Sequence, residues 1–384
     1  MASEASRIRF DRHELAGAFG DVGTSLPLLV GIALAAKIDG ASMLVMFGLL
    51  QVVTGLVYRM PMPVQPLKAM AAIVIAQGIA GPVLFGAGLA IGLTMLVLTA
   101  TGLLEWLARV VPKSVVRGIQ FGLGLQLASI ALKNYVQADG TTGFILAGVS
   151  FVIIVVLLGH EKIPGALPVL ALGVGYAVLF RLDQGHFVRS FGFDLPVFRA
   201  PSLAEITTGL IVLALPQIPL SLGNSVLATR QLAEDLFPER NITIRKIGFT
   251  YSLMNLVSPW FGGVPTCHGS GGMAGHFTFG GRTGGSVVIY GSLFLATGLF
   301  FGAGFDQIVS AFPLPILGVL LLFEALALIW LIRDVTPSRS EFPITILVGL
   351  IAVGLPYGYL IGMVLGTVLA RLASGSRLVS PDAP

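Results

Sequence analysis

Apolar runs separated by short polar breaks occupy most of the chain, at about 14–36, 41–58, 63–79, 83–108, 114–132, 143–159 and 164–180. They recur at about 206–228, 247–261, 266–281, 284–304, 311–332, 342–355 and 357–373. One longer polar interval, 181–204, rich in Arg, Asp and Phe, divides the two sets. Most of these runs are long enough to cross the roughly 30 Å hydrocarbon core of a bilayer as helices. The pattern predicts an all-α polytopic membrane protein with 14 transmembrane segments, seven on each side of the interval.

Two runs cannot be ordinary spanning helices. Residues 261–286, FGGVPTCHGSGGMAGHFTFGGRTGGS, are dense in glycine, and each Gly inside a helix costs about 1 kcal/mol relative to Ala. Extended backbone, close approach to a ligand, or an interrupted membrane helix would account for that density, and Pro265 favours the last. If 262–267 runs extended at ~3.1 Å per residue it covers about 19 Å, and a helix over 269–279 at ~1.5 Å per residue adds about 16 Å. Together they cross the membrane, and the helix starts near its midplane. The N–H groups of His268, Gly269, Ser270 and Gly271, with the positive end of the helix dipole, would then form an anion site. The third run repeats the design. Pro61, Pro63 and Pro66 remove helical donors and push their predecessors toward extended backbone, so 61–66 leads into a half-helix over 67–77. The alternative for both runs is a kinked helix, bent only to pack.

The halves echo one another at an offset of about 200. GDVGTSL (20–26) faces LGNSVL (222–227), PVQPLKAMAA (63–72) faces PTCHGSGGMA (265–274), and Pro112 with Gly118 opens the fifth run as Pro313 with Gly318 opens the twelfth. An odd number of spans per repeat makes the repeats inverted, 14–180 and 206–373, so both half-helix N-termini point at the midplane. With both termini cytoplasmic, 17 of the 23 Lys and Arg fall inside, Arg109, Lys162 and Arg377 among them. Five fall outside (Lys37, Lys133, Arg181, Arg189 and Arg199), and Lys68 alone lies in the membrane. This bias favours that orientation, in the cell (inner) membrane.

Composition agrees: the 384 residues are 55% hydrophobic and 11% charged. The formal charge of +4 comes from basic residues scattered singly, so topology explains them and nucleic acid is not an expected partner. The N-terminal stretch has no short apolar region with a cleavage site, so the first span is expected to act as the insertion signal. The single Cys267 excludes an internal disulfide and a Cys cluster, and His13, His160, His186, His268 and His276 show no ligand spacing. No metal or cofactor is expected.

The run 241–265, NITIRKIGFTYSLMNLVSPWFGGVP, followed by GGRT (280–283), resembles the sulfate-permease (SulP) superfamily pattern N-R-E…G-x-x-N…F-G-G-x-P…G-A-R-T. GAFGDVGTSLPL (17–28), PMPVQPLKAMAA (61–72), VPKSVVRGIQFGLGLQLA (111–128) and VPTCHGSGGMAGHFTFGGRTG (264–284) are similar to its molybdate-transporter branch, over roughly residues 10–375. The resemblance implies a UraA/SulP-like fold. A core domain (14–108 and 206–304) would move against a gate domain (112–180 and 311–373), with an oxyanion carried between segments 3 and 10. Few residues follow Arg371, so no regulatory STAS domain is expected. Asn224 stands where the superfamily often has Glu, which puts a proton-coupling role for that position in doubt.

Molybdate is a tetrahedral dianion whose oxygens only accept, so its site should consist of donors and positive potential. Candidate substrate contacts are Gln65, Lys68, Cys267, His268, Gly269, Ser270 and Gly271, joined by Asp21 and Thr24 of the first span and Gln217, Ser221 and Asn224 of the eighth. The last three share one helix face at i, i+4 and i+7. Lys68 either faces the anion or pairs with Asp21 or Glu324. His268 donates to the anion, titrates during coupling, or stays neutral and caps backbone groups; Cys267 is a ligand or a small packing residue. Asp21 and Glu324 are the proton-carrier candidates. Arg282 is expected to cap carbonyls at the end of segment 10 rather than bind substrate. The expected function is secondary active transport of molybdate. The alternatives are a sulfate or other oxyanion carrier, a nucleobase carrier of the same fold, or an anion channel. An enzyme would need a clustered nucleophile, a metal or paired carboxylates, and is not expected. Segments 5–7 and 12–14 offer a homodimer surface.

Overall fold

The structure, a computed structural model, describes residues 7–104, 106, 111–158, 165–182 and 191–375. Arg109, Lys162, Arg189 and Arg377 of the charge count, with His160 and His186, lie outside the described residues. The protein is a multi-pass membrane protein. Seven of the described helices are long and apolar enough to cross a bilayer: Arg12–Ala36, Gly40–Tyr58, Gly81–Thr101, Lys113–Tyr135, Leu203–Leu236, Gly285–Ala311 and Leu314–Asp334. Shorter apolar helices, Lys68–Gln77, Gly140–Val156, Ala166–Phe180, Glu341–Gly354 and Gly358–Ala373, stand between or after them. Ile244–Val257 and Ser270–Thr278 occupy the ninth and tenth runs.

The chain is mostly helical, and its described strands fall in the stretches expected to run extended, 61–66 and 262–267, the second continuing one residue further to His268. The two extended stretches find each other and pair as a short antiparallel ribbon, β1 (Val64–Pro66) and β2 (Thr266–His268), with Gln65 opposite Cys267. Extended backbone inside a membrane protein must satisfy its polar groups within the protein, and two side-chain amides complete that job. Gln51 donates to Val64 O at 2.7 Å and accepts from Val64 N at 2.8 Å. Asn255 donates to Thr266 O at 2.7 Å and accepts from Thr266 N at 2.9 Å. One clamp comes from the segment preceding each interrupted run, the relation a repeat would produce.

Helix limits depart from the apolar runs at three places. In the fourth run, 83–108, the helix ends at Thr101, where Gly102 takes a left-handed conformation. The eighth run continues as helix to Leu236, where Arg230 and Glu234 pair at 3.1 Å one turn apart; apolarity ends at the membrane surface, but helical hydrogen bonding does not. The eleventh helix likewise reaches Ala311, through a non-helical residue at Phe301. The first run is broken by a 3₁₀ turn at Phe19–Asp21.

Much of the glycine density in 261–286 has a cause outside the three weighed above. A Cβ on Gly20 would sit 2.3 Å from Gly275 O, and one on Gly275 would sit 2.4 Å from Gly20 O. The first and tenth segments cross backbone to backbone, which only small residues permit. The crossing is locked by the fully buried Glu14, whose carboxylate accepts from the N–H groups of Arg282 (3.0 Å), Thr283 (2.8 Å) and Ser286 (2.9 Å). The Arg282 guanidinium donates to the carbonyls of Phe277 and Gly281, as expected of a capping residue.

Candidate anion site

The ribbon brings the N-termini of Lys68–Gln77 and Ser270–Thr278 to the same place, tied by Leu67 N donating to Pro265 O at 3.0 Å. A cavity of about 210 Å³ lies there. Of the expected contacts, Gln65, Lys68, Gln217, Asn224, Cys267, Gly269, Ser270 and Gly271 line it. The described lining holds one cation, Lys68, and no carboxylate.

The two helix ends are not equivalent. No side chain caps Ser270–Thr278. At Lys68–Gln77, by contrast, the Gln217 amide oxygen accepts from Ala69 N at 2.9 Å and Met70 N at 3.3 Å. The expectation of two open N-termini is therefore corrected on one side: Gln217 is a cap borrowed from the eighth segment. Its amide nitrogen donates to Ser221 Oγ at 3.1 Å, and Ser221 reaches Tyr251 OH at 2.8 Å. Ser221 is thus drawn away from the cavity, although it shares a face with Gln217. The backbone over Ser221–Ala228 is π-helical, which shifts the side-chain spacing, and Asn224 and Ser225 from it line the cavity with Leu220 just before it.

Asp21 and Thr24 also lie off the lining. The Asp21 carboxylate accepts from Thr24 Oγ1, from Ser25 Oγ at 2.8 Å and from Gln65 Nε2. Its satisfaction by three neutral donors explains why it does not pair with Lys68. Lys68 Nζ instead meets Glu324 Oε2 at 3.2 Å. His268 turns away from the cavity toward Thr250 Oγ1 at 2.7 Å and the edge of the Tyr58 ring, its centroid 5.2 Å away. A hydroxyl and an aromatic ring are thus its partners on that side. Cys267 is buried in the wall.

Sequence reasoning missed Leu220, Ser225, Ala327, Leu328 and Leu331 of the lining, because apolar and small residues in apolar helices carry no signal. Two supporting residues had one. Asn255 stands at the Asn of the superfamily's G-x-x-N pattern, with Ser252 in place of its Gly, and Glu14 is a carboxylate at the very start of an apolar run.

A model of the family described as "Molybdate transporter of MFS superfamily" matches residues 13–127 and 209–328. Molybdate transporter 1 of Arabidopsis thaliana is 33% identical over 400 residues, covering 93% of this chain and 87% of its own length. Molybdate transporter 2 of the same plant is 33% identical over 377 residues, covering 86% and 80%. The transmembrane domain of a cyanobacterium bicarbonate transporter, BicA, superposes with a TM-score of 0.69 at 17% identity, over 95% of this chain and 98% of that one; this is a likeness of fold alone. Matched over most of its length by relatives and across both halves by the family model, the chain belongs to the molybdate transporter family.

Proposed function

We propose that this protein is a secondary active transporter of molybdate, which it binds between the N-termini of Lys68–Gln77 and Ser270–Thr278 and moves by alternating access. The observation that carries the reading is the cavity wall, which has Lys68, neutral amides and hydroxyls, an uncapped helix start, and no carboxylate among its described residues. Such a wall suits an acceptor-only dianion. It does not suit a nucleobase, whose N–H edge calls for a carboxylate. A volume of about 210 Å³ leaves room for a tetrahedral oxyanion and several waters.

The wider layout follows from that reading. The two short helices serve as half-helices of segments 3 and 10 in a chain of 14 segments, with both termini cytoplasmic, in the cell (inner) membrane. The core domain (14–108 and 206–304) moves against the gate domain (112–180 and 311–373), and segments 5–7 and 12–14 offer the face for a homodimer. A dianion entering against an inside-negative potential costs about 2.3 kcal/mol per charge per 100 mV. Each co-transported proton offsets the cost of one of the two charges, with Asp21 and Glu324 the candidate carriers.

Proteoliposomes should take up radiolabelled molybdate saturably, with uptake competed by tungstate and enhanced by a proton gradient directed inward. Competition by uracil but not tungstate would sink the oxyanion assignment, and indifference to the gradient would remove the proton.

Gly271 gives a local test. It lines the cavity, and a Cβ there would meet nothing within 4 Å. Gly271→Leu is expected to reduce uptake at least tenfold while melting close to the wild-type temperature, since the side chain fills the cavity instead of displacing protein. Unchanged uptake in a folded Gly271→Leu protein would move the substrate elsewhere.

A further inference from the structure

We propose that Glu324 is the resident counter-anion of the empty site. Its carboxylate holds Lys68 until the oxyanion takes its place, so substrate binding unties the Lys68–Gln77 helix from the Leu314–Trp330 helix. The inference rests on reading the cavity as an oxyanion site.

Lys68 has a foot in both places. Its side chain is 25% exposed and lines the cavity, while Nζ reaches Glu324 Oε2 at 3.2 Å across the boundary between the third and twelfth segments. Glu324 is 8% exposed and absent from the lining, so it neutralises Lys68 from behind the wall. Three side-chain donors already occupy Asp21, which leaves Glu324 as the only partner carboxylate of Lys68 among the described residues. Ala327, Leu328 and Leu331, one to two turns beyond Glu324 on the same helix, line the cavity, so an anion seated against Lys68 also sits against the helix that carries Glu324.

One ammonium cannot serve a carboxylate and a dianion equally. The dianion carries twice the charge and repels the carboxylate, so loading the site weakens the Lys68–Glu324 contact. In the proposed mechanism those two helices belong to the bodies that move past one another. The pair therefore slows movement of the empty carrier without forbidding the return step that net uptake requires, and loading removes that brake.

The test uses the purified full-length chain and its Glu324→Gln variant, with molybdate and tungstate as probes. Calorimetry should show Glu324→Gln binding molybdate at least tenfold more tightly than wild type, because nothing competes for Lys68. Glu324→Gln should also melt lower than wild type without oxyanion and alongside it at saturating molybdate, a dependence on ligand that a merely structural contact would not produce. Glu324→Asp, which keeps the charge on a shorter arm, should fall between the two in affinity, and it serves if Glu324→Gln does not fold. A wild type that binds molybdate, with either variant binding it no more tightly, overturns the proposal. A wild type that binds neither probe overturns the oxyanion reading itself, and the proposal with it.

Discussion

Lys68→Ala is expected to abolish molybdate uptake. Lys68 is the one cation in the described wall of the cavity, and unit charges 4 Å apart at an effective dielectric of about 20 attract by about 4 kcal/mol. Losing even half of this for a dianion weakens binding more than tenfold. The substitution also leaves Glu324 without its partner in a largely buried position, and stripping one member from a buried pair costs about 3–5 kcal/mol. The single variant will therefore be less stable as well as inactive. Lys68→Ala combined with Glu324→Gln separates the two effects: removing the orphan charge should restore much of the melting temperature, while uptake stays absent. Uptake near wild type in either variant would remove Lys68 from the substrate path.

Glu14→Ala is expected to destabilise the protein by about 3–5 kcal/mol, although Glu14 lies far from the cavity in sequence and does not line it. Its carboxylate is the acceptor for three backbone N–H groups at the turn between the tenth and eleventh segments. Each buried donor left without a partner costs about 1–3 kcal/mol. No other acceptor can enter easily, because Gly20 and Gly275 already pack backbone to backbone. Glu14→Gln should lie between wild type and Glu14→Ala, since its amide keeps one acceptor oxygen. Thermal melting in detergent, followed with intrinsic fluorescence, measures the series. Glu14→Ala melting at the wild-type temperature would mean that the turn is held by something else.

The two interrupted segments were legible in the sequence because their signals are local. Pro61, Pro63 and Pro66 disfavour helix where they stand, and the short helices expected over 67–77 and 269–279 are observed as Lys68–Gln77 and Ser270–Thr278. Apolar runs, set by the length a bilayer demands, likewise placed the helices to within a few residues. The fourth, eighth and eleventh are exceptions: a left-handed Gly102 ends the helix of the fourth at Thr101, and the other two run on because hydropathy marks where apolar surface ends and not where backbone hydrogen bonding stops.

By itself, the sequence determined that this is a polytopic membrane protein with two broken segments converging on a donor-rich centre, and its motifs named the family. All of that is written in composition, spacing and breakers along the chain. Only the tertiary structure decided how the polar groups pair. Lys68 meets Glu324, 256 residues away, in preference to Asp21; Gln217 caps Ala69 and Met70, nearly 150 residues away; and His268 turns to Thr250 and Tyr58. Such pairings leave no local trace, because buried donors and acceptors take whichever partner the crossing of distant segments brings within about 3 Å.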